Sequence, residues 1–131
     1  MIVWKMAIVA AGSALVMAAC GSSSGDGGTS ACTPKGGTTS GTASQVVKLS
    51  PDPNTVGKYD PPTVTVTKGQ TVEWDWVAND AQHSVTSDDN TTFDSGLCSV
   101  GAKFFVTFNT AGDVKYHCTI HAAMTGDVKV S

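Results

Sequence analysis

An all-β domain is what the sequence predicts, and three observations predict it. From Gln45 onward, apolar and polar residues alternate in short runs; the runs are separated by Gly, Pro, Asn and Asp; and no stretch of the region carries the periodicity of a long amphipathic helix. Val and Thr recur throughout, which suits pleated, half-buried strands. Together these describe a sandwich or barrel with strands expected at 45–49, 62–67, 70–77, 83–87, 103–109, 113–118 and 126–131.

The segments before this domain read differently. Lys5 and the apolar run from Met6 to Ala19 form an export signal, too short for the roughly 20 apolar residues of a membrane-spanning helix. Leu15-Val16-Met17-Ala18-Ala19-Cys20-Gly21 resembles a bacterial lipobox, so residues 1–19 are expected to be removed and Cys20 to carry lipid. The alternative is ordinary cleavage after an Ala-x-Ala-like site, which leaves Cys20 as a thiol. Both place the protein outside the cytoplasm, in a periplasm or on a cell surface. Residues 21–44 are almost wholly Gly, Ser, Thr and Ala, which bury too little apolar surface to offset the entropy of ordering them. Residues 20–44 are therefore expected to be a lipidated cysteine and a flexible tether with a span of roughly 25–30 Å. The folded domain is expected to be 45–131.

Within the domain each strand has its own signal. Thr71-Val72-Glu73-Trp74-Asp75-Trp76 sends Val72, Trp74 and Trp76 to one face and Glu73 and Asp75 to the other. Phe104, Val106 and Phe108 share one parity, as do Val114, Tyr116 and Cys118, and the two strands are expected to pair across the turn Thr110-Ala111-Gly112. Cys118 then points inward and His117 outward. Pro51, Pro53, Pro61 and Pro62 fall at strand beginnings or in loops, where a missing N–H does no harm.

Composition excludes some functions. The formal charge is −3 and every basic residue is a thinly spread Lys, so nucleic acid is not an expected partner. Phosphate-cradling glycine loops and Ser-His-Asp ordering are absent from the sequence. Four cysteines remain to be placed. If Cys20 carries lipid and Cys118 binds metal, Cys32 and Cys98 are left, and an oxidising compartment would let them join.

The informative stretch is Tyr116-His117-Cys118-Thr119-Ile120-His121-Ala122-Ala123-Met124, with a thiolate, an imidazole and a thioether in one short loop. Soft Cys and Met donors stabilise Cu(I), and imidazole binds both copper oxidation states, so the set suits copper better than zinc. A second imidazole must come from elsewhere, and His83 is the candidate before this loop.

On these residues the chain resembles the cupredoxins, most closely the amicyanin and plastocyanin branch. Cys118, His121 and Met124 match the short Cys-x-x-His-x-x-Met spacing of amicyanins, and the likeness runs from about Val46 to Ser131, including Phe93-Asp94-Ser95-Gly96. The resemblance implies a Greek-key β-sandwich of seven to eight strands and one type 1 copper held by His83, Cys118, His121 and Met124. It also implies that the N–H of Ser84, which stands where these relatives have Asn, points at Cys118, with the Ser84 hydroxyl tied to Thr119. Ile120 and Ala122 replace prolines common in amicyanin loops, which leaves two extra N–H donors.

The expected function is a one-electron carrier rather than an enzyme, because a closed four-ligand site leaves no open position for a substrate. Redox protein partners are expected to dock near His121, among Ala122, Ala123 and Met124, on a monomer attached to the membrane through Cys20. Asp80, Asp88, Asp89 and Asp94 are candidates for steering a basic partner. The alternative is an extracytoplasmic copper carrier that hands over the ion itself. A catalytic copper relative would need several more imidazoles than the three His of the chain.

Overall fold

A computed structural model describes residues 32–78 and 81–131. The expected signal segment 1–19, Cys20, the tether as far as residue 31, and Asp80 lie outside the described residues.

The described chain forms eight strands: β1 (Gln45–Asp52), β2 (Thr55–Asp60), β3 (Thr63–Val66), β4 (Gln70–Trp76), β5 (Thr86–Ser87), β6 (Lys103–Phe108), β7 (Gly112–His117) and β8 (Thr125–Val130). They build two four-stranded sheets, in the orders β2-β1-β4-β6 and β3-β8-β7-β5. Both sheets are mixed, because β1 runs parallel to β4 and β3 parallel to β8. The all-β sandwich expected from the sequence is thus the fold.

The core lies between the sheets and is made by the alternation read from sequence. Val72, Trp74 and Trp76 from β4 are buried with Phe104, Val106 and Phe108 from β6, while Val47 and Leu49 of β1 extend the same layer. Trp74 is its centre, with ring centroids 5.3 Å from Tyr116 of the facing sheet, 5.8 Å from Phe93 and 6.0 Å from Phe104. On the outer face of β4, Glu73 and Asp75 share the Lys103 ammonium of β6.

Three features of the strands differ from the sequence reading. First, β6 and β7 do not pair. β6 takes its ladder from β4, and β7 lies between β8 and β5, so residues 109–111 carry the chain from one sheet to the other. The shared inward parity of Phe108 and Val114 is real, but these residues belong to opposite layers. Second, β2 lies where the sequence reading placed no strand. It pairs antiparallel with β1, from Lys48 opposite Asp60 to Asp52 opposite Thr55, and buries Tyr59. Third, the expected 83–87 strand shrinks to Thr86–Ser87, and His83 instead forms an isolated bridge with Cys98.

The chain from Cys32 to Ser44 lies against the sandwich where a free tether was expected. The Lys35 N–H donates to the Asp94 carbonyl at 2.7 Å and the Lys35 carbonyl accepts the Asp94 N–H at 2.9 Å; Thr38 and Phe105 exchange a similar pair at 2.9 and 2.8 Å. Phe105 is on the outer edge strand β6, so this strap covers an edge otherwise open to pairing with another chain. Gly37 is read as flexibility by composition, yet here it is close packing: a Cβ at that position would lie 2.5 Å from the Phe104 ring and from the Phe105 carbonyl.

Cys32 and Cys98 are joined by a disulfide across 66 residues of sequence. In the chain-entropy model, closing a loop of that length stabilises the fold by about 4 kcal/mol. The Cys32→Ser/Cys98→Ser double variant is expected to lose about 3–4 kcal/mol in a denaturant titration, and its strap to become cleavable by protease at residues 33–41. An unchanged midpoint would show that the strap holds without the bond.

Candidate metal centre

The site is assembled from two places in the chain. Cys118 follows the last residue of β7 and is buried, continuing the inward parity of Val114 and Tyr116. The loop after it closes on itself: the Met124 N–H donates to the His121 carbonyl at 2.9 Å, and the Cys118 N–H donates to the Met124 carbonyl at 3.0 Å. His121 and Met124 are thereby brought back beside Cys118, with Met124 buried and His121 half-buried.

His83 comes from the segment before β5 and is 0% exposed. Its backbone is held from several directions. Its N–H donates to the Cys98 carbonyl at 3.0 Å, while its carbonyl accepts the Cys98 N–H at 2.9 Å and the Trp76 indole N–H at 3.0 Å. The next carbonyl, that of Ser84, accepts the Tyr59 hydroxyl from β2. The buried edge of the core thus fixes His83 before any ligand chemistry is considered.

The donor atoms converge. His83 Nδ1 and His121 Nδ1 lie 3.1 Å apart, and His121 Nδ1 is 3.5 Å from Cys118 Sγ. The donor atoms of His83, Cys118 and His121 all lie within 4.8 Å of one another. One ion at the usual metal–nitrogen and metal–sulfur distances of about 2.0–2.3 Å fits such a triangle. Two imidazoles and a thiolate are a donor set for copper, with zinc the other metal that accepts it.

Ser84 joins the two halves of the site. Its N–H donates to Cys118 Sγ at 3.4 Å, its Oγ accepts the Thr119 N–H at 2.9 Å, and the same hydroxyl donates to Thr119 Oγ1 at 3.2 Å. The short Ser side chain therefore reaches Thr119. Burial pushes the Cys118 thiol up, but hydrogen bonds from His83, from the Ser84 and Ile120 N–H groups and from His121 outweigh it and bring the thiol down to about 6. The Ile120 N–H exists because that position is not proline.

The remaining expectations sort themselves. His117 points outward, with Nδ1 2.7 Å from Asp88 Oδ1. Asp89 is occupied by the Ser87 and Thr92 hydroxyls and the Thr91 and Thr92 N–H groups, which hold its carboxyl well below the usual range. Asp94 accepts the Thr86 hydroxyl and the Gly96 N–H. Asp88, Asp89 and Asp94 thus also serve turns and neighbours. Sequence reasoning missed the residues that hold the site from behind: Gly57 and Tyr59 on β2, the Trp76 indole and the Cys98 backbone. The signal for β2 was present, since turn residues at Pro53-Asn54 and Pro61-Pro62 bracket a run containing Val56 and Tyr59.

Comparison with known proteins agrees with this geometry. Residues 45–131 match the family described as copper binding proteins, plastocyanin/azurin family. Halocyanin from Natronomonas pharaonis is 34% identical over 68 residues, covering 50% of this chain and 42% of halocyanin, so the match spans less than half of that relative. Among solved structures, a purple cupredoxin from Nitrosopumilus maritimus superposes with a TM-score of 0.58 at 26% identity, over 66% of this chain and 99% of its own. An oxidised methionine-to-leucine variant of amicyanin gives 0.55 at 25% identity, over 65% and 81%.

In the metal-free protein, the ultraviolet absorbance of the Cys118 thiolate is expected to appear with a midpoint near pH 6. Because the folded value lies below the unfolded one, the thiolate's contribution to stability is full above the ordinary thiol pKa of about 8.5 and is lost as pH falls through about 6. Ile120→Pro removes one N–H from the sulfur and should move the midpoint upward; an unmoved midpoint would show that this N–H does not act on the thiolate.

Proposed function

The chain belongs to the plastocyanin/azurin family of copper-binding proteins, electron-transfer proteins rather than enzymes. From that premise we propose that it is an exported one-electron carrier whose copper is held by His83, Cys118, His121 and Met124. Bound there, copper supplies a single electron by cycling between Cu(II) and Cu(I). The observation that carries the reading is the buried convergence of His83, Cys118 and His121 within 4.8 Å.

The residues have separable roles. Cys118 supplies the thiolate, and the Ser84 and Ile120 N–H groups withdraw charge from its sulfur, which favours the reduced ion. His83 is clamped from behind and shielded from water. Met124, buried beside His83, supplies the thioether. His121 is half-buried and flanked by exposed Ile120, Ala122 and Ala123, so the reading gives it the path for electrons to and from redox proteins docking on that apolar rim. The rest of the reading is attachment through a lipidated Cys20, a periplasmic or cell-surface location, and a monomer.

Loading the purified protein with Cu(II) is expected to give an intense blue colour and narrow copper hyperfine splitting in EPR. Cys118→Ser should abolish both, and Met124→Leu should keep the colour at a higher reduction potential. Fast electron self-exchange with negligible copper loss to a Cu(I) chelator supports the carrier, and facile transfer of the ion to the chelator would replace it with a copper-delivery role.

A further inference from the structure

Gly57 sits in the middle of β2, buried, with Tyr59 on the same inward face. Glycine inside a strand weakens it and marks places where another group approaches closely. Backbone conformation does not demand glycine here, since Gly57 is not among the residues of positive φ. What demands it is the space beside it. A Cβ at this position would lie 2.6 Å from His83 Cε1, 3.1 Å from His83 Nε2 and 3.3 Å from Met124 Sδ. The first distance is under the 3.0 Å within which a Cβ atom essentially never approaches another heavy atom.

The His83 ring has little backbone freedom with which to retreat. Cys98 and Trp76 hold its main chain, and Tyr59, two residues from Gly57 on the same strand, holds the carbonyl of Ser84. An added methyl group must therefore turn the imidazole about its own side-chain bonds, push the thioether away, or both. Either response moves a donor relative to Cys118 Sγ without disturbing the strand ladders.

We propose that Gly57 is a positioning residue of the copper site: its missing side chain sets how closely the His83 imidazole and the Met124 thioether pack. This rests on the assignment of these two residues as copper donors. Gly57 itself touches no electron partner and acts only through them.

The test uses the full-length protein loaded with Cu(II), parent beside Gly57→Ala. The variant is expected to retain the parent's far-ultraviolet circular dichroism while the ratio of its two main visible bands and its EPR rhombicity change, its reduction potential shifts, and copper loss to a chelator becomes at least tenfold faster. In a Met124→Ala background the thioether no longer competes for the space, and the effect of Gly57→Ala on copper loss should shrink at least threefold. If Gly57→Ala does not fold, a folded Gly57→Ala/Met124→Ala double variant supports the proposal, and an unfolded one overturns it. A blue parent with a Gly57→Ala variant of identical spectrum, potential and copper retention overturns the proposal alone, as does strict additivity with Met124→Ala. A parent that takes up no Cu(II) overturns the copper reading and this proposal with it.

Discussion

Ser84 is the point on which the site depends, because it extends the joining of β5 to β7 as far as the donor atoms themselves. Its N–H is aimed at Cys118 Sγ and its hydroxyl takes the Thr119 N–H, so the segment carrying His83 and the loop carrying the other donors are registered by one residue. Hydrogen bonds to charged acceptors are each worth about 1.5–3 kcal/mol, more than neutral ones, and a buried thiolate without them would not stay ionised. Ser84 is in turn fixed by Tyr59 through its carbonyl and by Thr86 through its hydroxyl, so the registration is passed down into the core.

The sequence made the donors legible and left their supports obscure, for a physical reason. Cys118, His121 and Met124 are close in sequence, and their chemistry marks them; His83 could be found because few imidazoles compete with it. Tyr59, Trp76 and Cys98 act through a hydroxyl, an indole N–H and a backbone pair, all directed at main-chain atoms of residues distant in sequence. No residue type advertises such a contact. The pairing of β6 with β7 failed for a related reason. In a hairpin and in an arch between sheets the inward residues have the same parity, so alternation cannot tell whether Phe108 and Val114 line one layer or face each other across the core.

The segment before β1 shows the limit of composition in the other direction. Gly, Ser and Thr bury little apolar area, and from that a flexible tether follows. From Cys32 onward other terms take over: the disulfide removes entropy from the unfolded chain, and the strap pairs its backbone with Asp94 and Phe105. Neither depends on side-chain hydrophobicity. The same bond anchors the strap at Cys98, the residue that pairs with His83, so Cys32 is fixed beside the segment that carries the buried imidazole.

The loop from Cys118 to Met124 then shows how one substitution changes what kind of rigidity a site has. A proline at position 120 would restrict the unfolded chain, an effect of about 0.4–1 kcal/mol, and would offer no donor. Ile120 gives up that restriction and keeps an N–H that helps to hold the Cys118 thiol down, and hydrogen bonds to charged acceptors are worth about 1.5–3 kcal/mol. The exchange favours the hydrogen bond, but only while the sulfur is ionised. Order in this loop is therefore tied to the charge on Cys118, whereas order at His83 is set by the core and by the disulfide behind it. The site consists of a floor that is rigid whatever its charge and a rim that is rigid because of it, and the exposed side of His121 lies on that rim.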